Sequence, residues 1–163
     1  MIQKIANYLF LLLGVVLLQA CDENARSPIP DVSVYFTIDL NYLDRELGAG
    51  TAPAAKSFTE PRRKSEEGKI GFGGLLVING FSTNGASVNL FAYDLACPSE
   101  NHPVNRNVRV VPDNAGKAIC PNCGAVFITA YGMGMPESGS KFPLKSYSVR
   151  QSGYGGMEYI VRN

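Results

Sequence analysis

Between residues 32 and 40, apolar side chains recur at every second position. Val32, Val34, Phe36, Ile38 and Leu40 alternate with more polar neighbours, the two-residue period of a strand with one buried face. Residues 70–78 (IGFGGLLVI) read as a buried strand weakened by glycines, with Asn79-Gly80 as a turn. Residues 87–96 (SVNLFAYDLA) predict a further strand, with Val88, Leu90 and Ala92 on one face. Residues 108–111 and 117–120 flank Pro112-Asp113-Asn114-Ala115-Gly116 and predict a hairpin, because Asp, Asn and Gly adopt turn conformations at low cost. Residues 125–129 form the next strand, and 131–136 a loop. Residues 144–149 and 157–161 look like a closing pair joined around Gly153, Gly155 and Gly156. No stretch beyond the N-terminal segment sustains helical spacing for three turns, and residues 44–69 show no usable period and read as one long loop. The pattern predicts an all-β domain over residues 32–163, a small antiparallel sandwich or barrel.

Composition agrees. Seventeen glycines and ten prolines with no tryptophan do not suit a helical bundle. Fifteen basic against fourteen acidic residues leave a formal net charge of +1, which offers no field to attract nucleic acid. The basic run at residues 61–64 is offset at once by Glu66 and Glu67 and reads as a solvated loop.

The N-terminus predicts an address. Lys4 makes the start positive, and residues 9–18 are an uncharged apolar run too short for the ~20 residues of a spanning helix. A positive start, a short apolar run and a small residue before a break read as a signal peptide over residues 1–20. Leu18-Gln19-Ala20-Cys21 resembles the bacterial lipobox, in which the cysteine is lipidated and becomes the new N-terminus. That resemblance implies a lipoprotein of the cell envelope, anchored to the membrane through Cys21. Residues 21–31, polar and proline-bearing, read as its tether.

The chemistry concentrates in three thiols. Cys120-Pro121-Asn122-Cys123-Gly124 places two cysteines two residues apart before a glycine, a spacing that usually holds a metal, and Cys97 lies upstream. Each is expected beside a turn between strands. CPNCG also resembles a zinc knuckle, half of a tetrahedral site. The other half would be Cys97 and His102, the only histidine, which otherwise reads as a surface loop residue before Pro103.

Around these thiols the chain resembles the Rieske iron–sulfur domains. Their two ligand loops read Cys-x-His and Cys-x-x-His, the second followed by Gly and an aromatic residue. CPNCGAVF matches the second loop, with Cys123 in the histidine place and Gly124 and Phe127 in theirs. Cys97-Pro98-Ser99 matches the first, with Ser99 in the histidine place. Residues 142–149 (FPLKSYSV) resemble the close of that domain. The resemblance implies a Rieske-like β-sandwich or barrel with two ligand-loop hairpins. A Rieske centre uses two cysteines on one iron and two histidines on the other, and neither histidine is present.

Four states of the thiols follow. One is a variant [2Fe–2S] cluster on Cys97, Cys120 and Cys123, with Ser99 as a weak fourth ligand, suited to electron transfer. Another is a structural zinc with His102. A third is a disulfide, since bonds between thiols persist outside the cytoplasm. The resemblance puts Cys97–Cys120 first and Cys97–Cys123 second, and Cys120–Cys123 last because no helix follows. The fourth is three free thiols. A disulfide or empty site is the leading expectation, because losing both histidines and keeping an odd number of ligands is how a cofactor site decays.

An enzyme is not expected. Rieske oxygenases need a second iron held by two histidines and a carboxylate, and one histidine cannot supply it. Asp94 and Glu100 could serve as acid–base groups, but polar loop placement explains them equally. A binding module with an unknown protein partner would use Tyr131, Met133, Met135 and Tyr154 on glycine-rich loops. Packing over the barrel ends is the simpler expectation for them.

Overall fold

The strand at Leu75–Asn79 is buried at all five positions, and the fold divides along it. In this computed structural model the described residues are 27–48, 50, 52–82, 88–152 and 156–163. The strands are β1 (Tyr35–Asp39), β2 (Ala54–Phe58), β3 (Leu75–Asn79), β4 (Leu90–Asp94), β5 (Val111–Pro112), β6 (Lys117–Ile119), β7 (Val126–Ile128), β8 (Met135–Ser138), β9 (Ser146–Gln151) and β10 (Glu158–Arg162). They form a six-stranded sheet in the order β1-β10-β9-β4-β3-β2 and a four-stranded sheet β5-β6-β7-β8. Every pairing is antiparallel. The all-β antiparallel reading holds.

Alternate residues of β3 enter different cores. Leu75 and Val77 join Phe36, Ile38, Ala92 and Val161 on one side. Leu76 and Ile78 meet Tyr93, Leu95, Ala118 and Phe127, where the small sheet covers the large one. This is why LLVI runs apolar without a break: a strand covered on both faces has no polar side. Strand β4 divides likewise, Leu90 and Ala92 to the first core and Tyr93 to the second. Each fully buried aliphatic side chain contributes about 1.5–3 kcal/mol.

The segment expected as one loop over 44–69 is partly built. It holds β2 and short 3-10 turns at Arg45–Leu47 and Lys64–Glu66. Ala54–Phe58 (AAKSF) has weak strand propensity and buries only Phe58, so its conformation comes from pairing with β3, Ala54 opposite Asn79 and Phe58 opposite Leu75. Arg62 lies in an exposed loop, as expected, but its side chain is not free in solvent. Its guanidinium donates to Asp44 Oδ1 at 3.2 Å, Asp44 Oδ2 at 3.0 Å and the Thr37 carbonyl at 2.7 Å. It also lies over the Phe36 and Phe58 rings, 4.7 and 4.9 Å from their centroids. Buried Glu66 accepts from the backbone N–H groups of Thr37, Arg62 and Arg63 at 2.9–3.1 Å. A folded strap thus lies across the first core.

Other boundaries shift less. The β3–β4 ladder runs on past the expected turn, with Gly80 N–H donating to the Asn89 carbonyl at 2.9 Å. Met135 and Pro136, expected in a loop, begin edge strand β8 at a register shift beside Val126 and Phe127, a place where proline is tolerated. The last residues of the expected tether are docked: Ile29 is buried, and Lys145 Nζ donates to the Ile29 and Pro30 carbonyls and pairs with Asp31. The signal-peptide segment, Cys21, Ser87, Gly153, Tyr154 and Gly155 lie outside the described residues. No helix among the described residues is long and apolar enough to cross a membrane.

Candidate metal centre

Two loops carry the site, and each is set by backbone hydrogen bonds. The first leaves β4 at Asp94. The Asp94 carboxylate is fully buried and accepts four donors: Phe72 N at 2.6 Å, Gly73 N at 2.9 Å, Ala96 N at 2.8 Å and Tyr147 Oη at 2.7 Å. A buried carboxylate so surrounded is a structural anchor, and the acid–base role considered for it has no free lone pair to work with. Burial and the facing Asp94 carboxylate push the Tyr147 phenol far up, so it remains a donor. Past this anchor, Cys97 N donates to the Val108 carbonyl at 2.9 Å, and Ala96 bridges Arg109.

The second loop joins β6 to β7. Cys120 N donates to the Ala125 carbonyl at 2.9 Å, and Gly124 N to the Cys120 carbonyl at 2.8 Å. Closing so tight a turn puts Gly124 at φ +72°, which explains the glycine after the second cysteine. Pairing of Ala118 with Phe127 and Ile119 with Val126 holds the turn at the sheet end.

The two loops meet. One ligand atom each from Cys97, His102, Cys120 and Cys123 lies within 4.8 Å of the others, close enough to hold a metal ion. Cys97 Sγ and Cys123 Sγ are 3.8 Å apart, and Cys120 Sγ is 3.9 Å from His102 Nε2. All three thiols are free, so the Cys97–Cys120 bridge expected from the resemblance is not formed here. Cys97 and Cys120 are buried; Cys123 and His102 are partly exposed.

The donors differ electrostatically. Burial pushes the Cys97 thiol far up, with neighbouring Cys120 and Cys123 adding to the rise. At Cys123, partial burial acts upward but is outweighed by the Ala125 N–H and by Cys120, Ser99 and Cys97, which bring it down to about 7. A cation held among the sulfurs would favour thiolate at all of them.

His102, offered by the sequence as the fourth zinc donor or else a surface loop residue, lies in a partly exposed loop with its ring against the thiols. Its Nδ1 lies 3.0 Å from the Pro103 carbonyl, which can only accept. Nδ1 therefore carries the proton, and the Nε2 lone pair is left on the thiol side. A backbone carbonyl fixing the tautomer of a ligating imidazole is the usual outer support of such a site. The one available sequence signal was that the sole histidine follows Cys97 by five positions.

Ser99, the other candidate fourth ligand, lies beside Cys123 but directs its hydroxyl proton to the backbone. Its hydroxyl donates to the Gly139 carbonyl at 2.7 Å and accepts from Asn101 N at 3.3 Å. Glu100 is exposed and accepts from Lys141 N at 3.0 Å. Tyr131, Met133 and Met135 are exposed instead of capping the barrel ends.

Comparison of the chain with family models, curated proteins and solved structures found no match.

Proposed function

We propose that this chain is a non-enzymatic, membrane-tethered β module whose two loops are locked together by one zinc ion on Cys97, His102, Cys120 and Cys123. The convergence of all four donor atoms within 4.8 Å carries the reading. A tetrahedral ion with Zn–S near 2.3 Å sets its sulfurs about 3.8 Å apart. The Cys97 and Cys123 sulfurs stand at that separation. Three thiolates and an imidazole form a closed structural set, with no position left for substrate.

The same compactness bears on the Rieske resemblance. A [2Fe–2S] cluster spreads its two ligand pairs over two irons at opposite ends of its core, whereas these donors surround one point. The reading therefore keeps a Rieske-like two-loop scaffold and replaces the cluster by a single ion. Iron held by the same donors is the second reading, favoured by CPNCGAVF and Cys97-Pro98, and would suit electron transfer. The envelope address rests on the lipobox-like Leu18-Gln19-Ala20-Cys21.

The test is metal and sulfide analysis, with an absorption spectrum, on the full chain purified in detergent without oxygen. One zinc per chain and no visible absorption supports the proposal. Iron without sulfide supports the second reading. Iron with an equal amount of sulfide restores the cluster, and a metal-free protein that takes up no zinc overturns every metal reading. Incorporation of labelled fatty acid, lost in Cys21→Ser, tests the anchor.

A further inference from the structure

We infer that Cys97 and Cys123 form a peroxide-reactive pair that closes into a disulfide and, on the zinc reading proposed above, expels the ion. Three observations converge on this pair rather than on Cys97–Cys120. The Cys97 and Cys123 sulfurs already touch at 3.8 Å across the two loops. Cys123 is the partly exposed member of the three thiols, so an oxidant in solvent meets it first, while Cys97 and Cys120 are buried. Cys120 Sγ also borders both thiols, but it is buried and lies 3.9 Å from His102 Nε2. Cys123 sits at a turn tip closed by glycine, whereas Cys97 is fixed by its bond to Val108 and the nearby Asp94 anchor. The closing movement therefore belongs to the second loop.

The chemistry balances with a peroxide as oxidant. The Cys123 sulfur attacks one peroxide oxygen, the O–O bond breaks, and Cys123 becomes a sulfenic acid as one water leaves. The Cys97 sulfur then attacks the Cys123 sulfur, the S–S bond forms, the S–O bond breaks, and hydroxide departs with the Cys97 proton as a second water. Two thiols and one hydrogen peroxide give one disulfide and two waters. From the ion-bound state both sulfurs start as thiolates, so two protons are drawn from solvent. The ion keeps only Cys120 and His102 and is released. A thiol reductant reverses the sequence by exchange.

The experiment treats the full chain with one equivalent of hydrogen peroxide. It follows zinc with a chromogenic chelator, blocks remaining thiols with iodoacetamide, and maps the digest by fragmentation fine enough to separate Cys120 from Cys123. The expected result is a Cys97–Cys123 linkage with Cys120 alkylated, loss of the bound zinc in step with it, and recovery of both after reduction with zinc present. A Cys97–Cys120 or Cys120–Cys123 linkage, or three alkylated thiols after oxidation, overturns the inference. Mapping uses the unsubstituted protein, so it does not depend on a variant folding; Cys123→Ser should abolish the linkage. A Cys97–Cys123 linkage in a protein that never held zinc sustains the pair and removes the zinc reading, which keeps the two failures apart.

Discussion

Tyr147 Oη donates to Asp94 Oδ2 at 2.7 Å and so ties β9 to the end of β4, three residues before Cys97. The same carboxylate collects the N–H groups of Phe72, Gly73 and Ala96. The first ligand loop thus starts from a point fixed by two other segments of the chain.

Tyr147→Phe removes one hydrogen bond to a charged acceptor and should lower unfolding stability by about 1.5–3 kcal/mol. Asp94→Ala leaves three backbone donors without their acceptor and should cost more, with reduced metal occupancy. Urea denaturation of the three proteins checks the order. Equal stability of Asp94→Ala and the parent would remove the anchor from the account.

Substitution separates His102 from Ser99 as fourth ligand. His102→Ala should lower zinc affinity by about 10-fold or more. Ser99→Ala, which loses its bond to the Gly139 carbonyl, should cost about 1 kcal/mol of stability while leaving zinc stoichiometry intact. Competition with a chelator of known affinity measures the first and thermal unfolding the second. The reverse ranking would put the fourth donor at Ser99.

Removal of the ion should destabilise the fold because a ligand that binds only the native state adds to its stability. The unfolding midpoint is expected to fall on exhaustive chelation and to return with zinc. Identical midpoints in the two states would contradict a structural site.

Two glycines should respond differently to alanine. At Gly124 an added Cβ meets nothing within 4 Å, so only the φ of +72° resists, worth about 1–2 kcal/mol. At Gly73 the new Cβ would lie 2.6 Å from Ala96 N and 2.9 Å from its Cα, which are backbone atoms. Gly73→Ala must therefore displace the strand end leading to Cys97. It should lose more stability than Gly124→Ala and weaken metal binding as well, as parallel unfolding and zinc titrations would show.

Acid should loosen the strap over the first core. Burial acts to raise the Asp44 carboxyl, but Arg62, the Asp39 N–H and Lys56 together hold it below the usual carboxylate range. A folded-state pKa below the unfolded one gives stability that is fully present above the unfolded value, about 3.9, and is lost as pH falls through the folded value. The thermal midpoint should drop below about pH 4, and less steeply in Asp44→Asn. Parallel pH profiles of the two proteins would expose an Asp44 that contributes nothing.

Strands with one repeating chemical face were legible because side chains alternate with a period of two. β1, with Phe36 and Ile38 buried, and β4, with Leu90 and Ala92 on one side, were read in this way. β2 was not, since AAKSF has no such face and takes its conformation from β3. The Arg62–Asp44 pair was hidden for a related reason: charge in sequence does not reveal which cation will lie over two phenylalanine rings.

The sequence by itself determined the all-β class, the two tight turns at the thiols and the candidate donor types, because alternation, glycine and cysteine spacing are local properties. Only the tertiary structure decided that His102 comes within 4.8 Å of the three sulfurs while the Ser99 hydroxyl bonds to the Gly139 carbonyl. It also decided that the partly exposed Cys123 reaches across to Cys97 at 3.8 Å. Those choices depend on how two loops, separated along the chain, are aimed at each other by the Asp94 anchor and the β6–β7 ladder, and no local pattern encodes that angle.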